Sequence, residues 1–143
     1  MSDGARIIDS AGKKIAYVRI WSYAGDRYQG QLEELLAGKL AEADALIWDL
    51  RDGWGGAQPY YLDIFSKLGP TMELTDRGGD REFVNVKWRK PVALLINGGS
   101  RSGKEVLAYG FKKYGVGEVI GTRTAGALLA GRAFLLKDDS LLL

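Results

Sequence analysis

Apolar residues along this chain come in short blocks whose period switches between two and nearly four, the pattern of strands alternating with helices. Residues 6–8 and 15–20 flank the turn-forming Asp9-Ser10-Ala11-Gly12 and predict an opening hairpin. Leu32, Leu35, Leu36, Leu40 and Ala43 then recur at helical spacing, with Glu33, Glu34, Lys39 and Glu42 off the stripe, which predicts an amphipathic helix packed on a sheet. Residues 45–50 form a nearly continuous apolar run, a strand buried on both faces, and the glycine-rich Arg51-Asp52-Gly53-Trp54-Gly55-Gly56 closes it. Residues 60–68 read as helical, and residues 69–90 as a polar excursion with one exposed strand at 83–86. The pattern then repeats: a strand at 92–96, a glycine-rich loop at 97–101, and a helix reaching about Tyr114 on which Val106, Leu107, Phe111 and Tyr114 face inward. Lys112, Lys113 and a C′ glycine, Gly115, suit its end. A strand at 118–121, a loop of small residues to Gly131, an apolar stretch at 133–136 and a polar turn at 137–139 lead to Ser140-Leu141-Leu142-Leu143.

Strands separated by crossovers of a dozen or more residues imply an α/β layered domain with a mostly parallel sheet and packed helices. Its two glycine loops should meet at the carboxyl edge of the sheet, where such domains bind ligands. The final leucines look like the start of a strand, so the domain reads as truncated at its C-terminus. An unpaired apolar edge there predicts a dimer or higher oligomer formed through this segment.

Composition narrows the function. A chain of 143 residues is one domain with one core, and 46% hydrophobic against 27% charged residues excludes disorder. A net charge of +2 implies no nucleic-acid partner. The N-terminus carries no leader pattern, and no apolar run is long enough for a membrane span. With neither cysteine nor histidine, there is no thiolate or imidazole metal site and no imidazole base; neither metal nor cofactor is expected.

Two chemical readings compete for the second glycine loop. Gly98-Gly99-Ser100-Arg101-Ser102-Gly103-Lys104 fits G-x-x-x-x-G-K, but Glu105 stands where a Mg²⁺-binding hydroxyl belongs. Alternatively, Ser102 is an acyl-transfer nucleophile at a strand-to-helix turn. The Gly103 amide, at the helix start, and a Gly55 or Gly56 amide, from the neighbouring loop, would then receive the oxyanion. The same residues also serve as a plain helix cap and turn, and spacing alone leaves this open.

Three ordered motifs add a resemblance. Asp49-Leu50-Arg51-Asp52-Gly53-Trp54-Gly55-Gly56, then Asn97-Gly98-Gly99-Ser100-Arg101-Ser102-Gly103-Lys104-Glu105, then Gly121-Thr122-Arg123-Thr124-Ala125-Gly126 look like the S41 peptidases. These are the C-terminal processing or tail-specific proteases with their tricorn-like and retinoid-binding-protein-like relatives. The resemblance runs from about Lys14 to the C-terminus. It implies a ClpP/crotonase-like fold across residues 1–143, Ser102 as nucleophile, Gly103 and Gly55 as oxyanion donors, and Asp49, Arg51 and Gly56 as supports of the first loop. It also implies peptide or unfolded-protein substrates and an extracytoplasmic compartment, a cytoplasmic one remaining open.

Departures from the family pattern matter equally. Ala127 stands where the T-x-G-K motif of the processing proteases has its lysine base, and the histidine of the tricorn-like members has no counterpart. Lys104 is the local substitute, although residues two apart on a helix do not face each other. No PDZ-like tethering domain accompanies the core. The expectation is therefore an S41-type serine peptidase core, in the branch lacking the lysine, that is inactive alone and draws its base from elsewhere. A noncatalytic module binding peptides or hydrophobic ligands on the same fold is the alternative, and a P-loop nucleotide binder is third.

Overall fold

The computed structural model describes residues 4–129 and 134–142. Strands β1 (Ala5–Ser10) and β2 (Lys13–Arg19) pair antiparallel across a two-residue turn. Ala11 and Gly12 both take positive φ there, the primed geometry whose twist matches that of the strands. The remaining strands of the sheet run parallel: β2 beside β3 (Ala45–Asp49), β3 beside β6 (Val92–Ile96), and β6 beside β7 (Glu118–Gly121). The order β1-β2-β3-β6-β7 makes a five-stranded, mostly parallel sheet, as the apolar blocks predict.

Helix α1 (Arg27–Ala37) connects β2 to β3 and buries Leu32 and Leu36, and Leu40 and Ala43 beyond it complete the predicted stripe. Helix α2 (Gly103–Lys113) connects β6 to β7 and buries Leu107 and Phe111. Tyr114, expected inside, is exposed, because it lies past the last helical residue. Ala16, Val18, Leu46, Trp48 and Leu94 on the central strands join these side chains in one core. Trp48 packs at tilted angles on Phe65 and Phe111.

Three local differences from expectation have physical reasons. Residues 60–68 contain a 3₁₀ segment, Pro59–Phe65, tied back to the chain where Trp88 N–H donates to the Ile64 carbonyl. The exposed strand β5 (Arg81–Val84) pairs with β4 (Met72–Thr75), a ribbon whose first strand is exposed throughout and whose apolar Met72 and Leu74 make an alternation only four residues long in a charged stretch. The C-terminal leucines do not extend the main sheet: β9 (Leu141–Leu142) folds back antiparallel on β8 (Phe134–Leu135) as a separate hairpin. Leu141 and Leu142 thus have a strand partner within the chain yet remain 61% and 54% exposed. Gly131, Ala133 and Leu143, which entered the expectations for this end, lie outside the described residues. Among the described residues, no helix is long and apolar enough to cross a membrane.

Candidate active site

The loops after β3 and β6 leave the carboxyl ends of adjacent parallel strands and are tied to each other by polar bonds. Asn97 Oδ1 accepts the Asp52 amide at 3.0 Å and the Gly99 amide at 2.9 Å, while its Nδ2 donates to Asp52 Oδ1 at 2.8 Å. Buried Ser100 donates its hydroxyl to the Leu50 carbonyl at 2.9 Å. Below this seam, buried Asp49 takes a two-pronged grip from Arg51, with Nε to Oδ1 at 2.9 Å and Nη2 to Oδ2 at 2.7 Å, and the Tyr17 hydroxyl donates to Oδ2 at 2.6 Å. Burial alone would raise the Asp49 pKa, but the bonds from Arg51 and Tyr17 outweigh it and hold the carboxyl below its ordinary range. Asp49 and Arg51 therefore fasten the root of the first glycine loop.

Ser102 stands immediately before α2 with φ +53° and ψ −126°, a backbone conformation that costs a residue with a side chain about 1–3 kcal/mol. Its amide is held twice, by the Glu105 carboxylate at 2.9 Å and by the Ala127 carbonyl at 3.0 Å. Glu105 also accepts the Gly126 and Ala127 amides at 2.6 and 2.8 Å and a bond from the Thr124 side chain. Burial pushes its pKa up, and these donors outweigh burial to leave it lowered. A carboxylate so committed keeps the strained turn closed.

Gly55 and Gly103 face one another across the two loops. A Cβ placed on Gly55 would lie 2.6 Å from the Ser102 Cβ and 3.0 Å from the Gly103 nitrogen, and one on Gly103 would lie 2.4 Å from the Ala57 nitrogen. Only glycine permits this approach. The Gly103 amide opens the helix and the Gly55 amide has no acceptor among the described residues, whereas the Gly55 carbonyl is occupied by the Tyr23 amide at 3.0 Å. Two free N–H groups beside a hydroxyl are the donor set that a developing oxyanion requires. Gly56, at φ +94°, turns the loop so tightly against Tyr23 that a Cβ would come within 2.4 Å of its carbonyl oxygen.

Lys104 goes elsewhere. Its side chain is wholly buried, and Nζ donates to the carbonyls of Ile20 at 2.7 Å, Trp21 at 3.0 Å and Asp52 at 2.6 Å. Burial, moderated by the nearby Asp49 and Asp52 charges, lowers its pKa to about 8. Among the described residues no hydrogen bond joins this ammonium to Ser102; the three carbonyls take its donors instead. Ala127 is beside Ser102 through its backbone alone. Among the described residues, no cluster of His, Cys, Asp or Glu could hold a metal.

Asn97, Ser100 and Glu105 are not among the expected site residues, although all three stand in the Asn97–Glu105 motif. The S-x-x-E spacing of Ser102 and Glu105 is a capping-box signal that could have revealed Glu105, whereas Asn97 and Ser100 reach Asp52 and Leu50, 45 and 50 positions away, which spacing does not show.

Comparison with known proteins gives one consistent outcome. The profile described as peptidase family S41 matches residues 14–143. A carboxyl-terminal-processing protease of Synechocystis is 26% identical over 95% of this chain and 34% of its own length. The chloroplastic carboxyl-terminal-processing peptidase 2 of Arabidopsis thaliana is 26% identical over 92% of this chain and 27% of its own. The chain thus spans between about a quarter and a third of the length of these curated relatives. Among solved structures, the photosystem II D1 C-terminal processing protease superposes with a TM-score of 0.60 at 24% identity, over 90% of this chain and 35% of that one. A putative S41 protease from Bacteroides fragilis gives 0.62 at 18% identity over 96% and 42%, and the tricorn protease 0.60 at 24% over 91% and 12%.

Proposed function

Because the chain belongs to peptidase family S41, we propose that residues 1–143 are the single-domain core of a serine peptidase in which Ser102 attacks the carbonyl carbon of a peptide bond. The Gly103 and Gly55 amides receive the oxyanion, and Asp49, Arg51 and Gly56 hold the donor loop in place. The Ser102 proton passes to a base supplied from outside this chain and is returned to the leaving amine, after which water releases the acyl group. One observation carries the reading: Ser102 is held at φ +53° against two glycines whose amides are unoccupied. The need for an outside base follows from Ala127, from the commitment of Lys104 to three carbonyls and from the absence of histidine.

Substrates are peptides or unfolded proteins, by likeness to relatives named carboxyl-terminal-processing proteases. An extracytoplasmic compartment fits the relative named chloroplastic. Two copies joined through Phe134, Leu135, Leu141 and Leu142 would cover apolar surface that this hairpin leaves exposed, and light scattering at rising concentration tests that association.

A fluorophosphonate probe followed by peptide mapping tests the nucleophile, on this chain and on the chain with its native flanking sequence. An adduct on Ser102 that disappears in Ser102→Ala supports the peptidase. No adduct on Ser102 in either form leaves the noncatalytic ligand-binding reading in its place.

A further inference from the structure

Beside the nucleophile lies a cavity of about 330 Å³ lined by Trp21, Asp52, Gly53, Trp54, Gly99 and Arg101. Its two indoles are 55% and 66% exposed, unusual for tryptophan, and they are set by backbone geometry: the Trp54 amide donates to the Trp21 carbonyl at 2.8 Å. Gly53 packs so closely on Trp21 that a Cβ would come within 2.0 Å of its carbonyl oxygen. The rim is therefore rigid where the aromatic plates attach.

The charges around this cavity do not balance. Arg51 is paired with Asp49 at 2.7 Å, and Arg19 with Asp52 at 3.0 Å, while Arg19 also lies over the Trp21 ring at 5.5 Å. The Glu105 carboxylate is occupied by the Ser102, Gly126 and Ala127 amides and by Thr124. Among the described residues the Arg101 guanidinium pairs with no carboxylate; its one hydrogen bond there is a 3.5 Å contact from Nε to the Gly99 carbonyl. The buried Lys104 ammonium donates to the carbonyls of two lining residues, Trp21 and Asp52, and so fixes the backbone of the cavity wall.

We propose that this cavity is a specificity subsite that takes a carboxylate of the substrate, borne on an apolar stretch of peptide close to the bond Ser102 attacks. Arg101 supplies the pairing group and the Trp21 and Trp54 faces take the apolar neighbours. The carboxylate is either a free chain end or an acidic side chain, and both make the same bond to guanidinium. The inference rests on the peptidase reading for its placement beside a scissile bond, but binding at the cavity is measurable without catalysis.

The test titrates three peptides of one apolar sequence into the chain and follows tryptophan fluorescence: one ends in a free carboxylate, one in a carboxamide, and one in a carboxamide with an internal Glu. One or both carboxylate peptides should bind about tenfold tighter than the neutral one, as expected for a charge-assisted pair. The tighter of the two identifies the source. Arg101→Ala, an exposed change, should bring all three affinities within about twofold, with Arg101→Lys intermediate. Equal affinities on the unaltered chain, no binding by any peptide, or a carboxylate preference that survives Arg101→Ala would each overturn the subsite. The preference should persist in Ser102→Ala, so an unreactive Ser102 sinks the peptidase reading without touching this one.

Discussion

Ser102 and Ala127 meet backbone to backbone, the amide of the first donating to the carbonyl of the second at 3.0 Å. Position 127, where the resemblance to the processing proteases implies a lysine, thus lies against Ser102, and its side chain here is a methyl group. Ala127→Lys should place an amine next to Ser102. A positioned general base contributes about 10²–10⁴-fold, and the rate of fluorophosphonate labelling of Ser102 should rise by about 100-fold or more. The unaltered chain should leave unfolded casein intact, with or without Ser102→Ala. An Ala127→Lys chain that folds but labels no faster would place the missing base on another element.

Gly55→Ala should be damaging and Gly98→Ala harmless. The first puts a methyl 2.6 Å from the Ser102 Cβ, whereas the second meets nothing nearer than 3.9 Å. Overpacking of this kind costs about 1–3 kcal/mol, readable from urea denaturation midpoints. Fluorophosphonate labelling of Ser102 in the Ala127→Lys background should fall in parallel for Gly55→Ala only.

The strain at Ser102 can be measured by substitution. Alanine inherits the φ +53° conformation, whereas glycine adopts it freely. Ser102→Gly should therefore be more stable than Ser102→Ala by about 1 kcal/mol, after the greater backbone entropy of glycine in the unfolded chain is counted. Equal stability of the two variants would mean that the turn relaxes once the hydroxyl is gone.

Lys104 makes stability depend on pH in the alkaline range. Its pKa is about 8 in the folded chain against 10.5 unfolded, so between these values the unfolded state binds more protons. Stability contributed by this group therefore rises as pH climbs from about 8 towards 10.5. Denaturation midpoints across that window, compared with Lys104→Met, should show a rise in the unaltered chain that the variant lacks. A titration of the Lys104 side-chain carbon near pH 8 by NMR would establish the same point directly.

Glu105→Gln should destabilise the turn, because the new amide nitrogen would confront backbone N–H groups of Ser102, Gly126 or Ala127 that now share one carboxylate. A loss of about 2–3 kcal/mol is expected for a charged acceptor exchanged this way. Since the Glu105 pKa is lowered, its contribution is present at neutral pH and should be lost as acid protonates it below the ordinary carboxylate range.

Much of this architecture was legible as pattern. Continuous apolar runs at 45–50 and 92–96 read as central strands, and both helices followed from their stripes, because burial against a sheet imposes a period on the sequence. The ribbon strand Met72–Thr75 is hard to read for the opposite reason: it buries nothing, and the alternation of Met72 and Leu74 with Glu73 and Thr75 is only four residues long. Motif order directs attention to Ser102, Gly55 and Gly103, and capping-box spacing links Glu105 to Ser102, whereas the holds that Asn97 and Ser100 exert depend on loops folded together from distant parts of the chain. Lys104 illustrates the limit best. Helical spacing indicated that it does not face Ser102, but no local rule identifies three carbonyl oxygens from two other loops as its destination.

That destination also sets an order of assembly. The Lys104 bonds span 84 positions to Ile20 and 52 to Asp52, and the Ser100 bond spans 50 to Leu50. Contacts so far apart in sequence form only after the intervening loops have closed, and slow folding accompanies them. The Ser102 turn is consequently expected to form late, when the strands on both sides of β3 are already docked. A growing or half-folded chain would then hold Ser102 in an ordinary flexible segment, so the geometry on which the proposed chemistry depends comes only with the finished sheet.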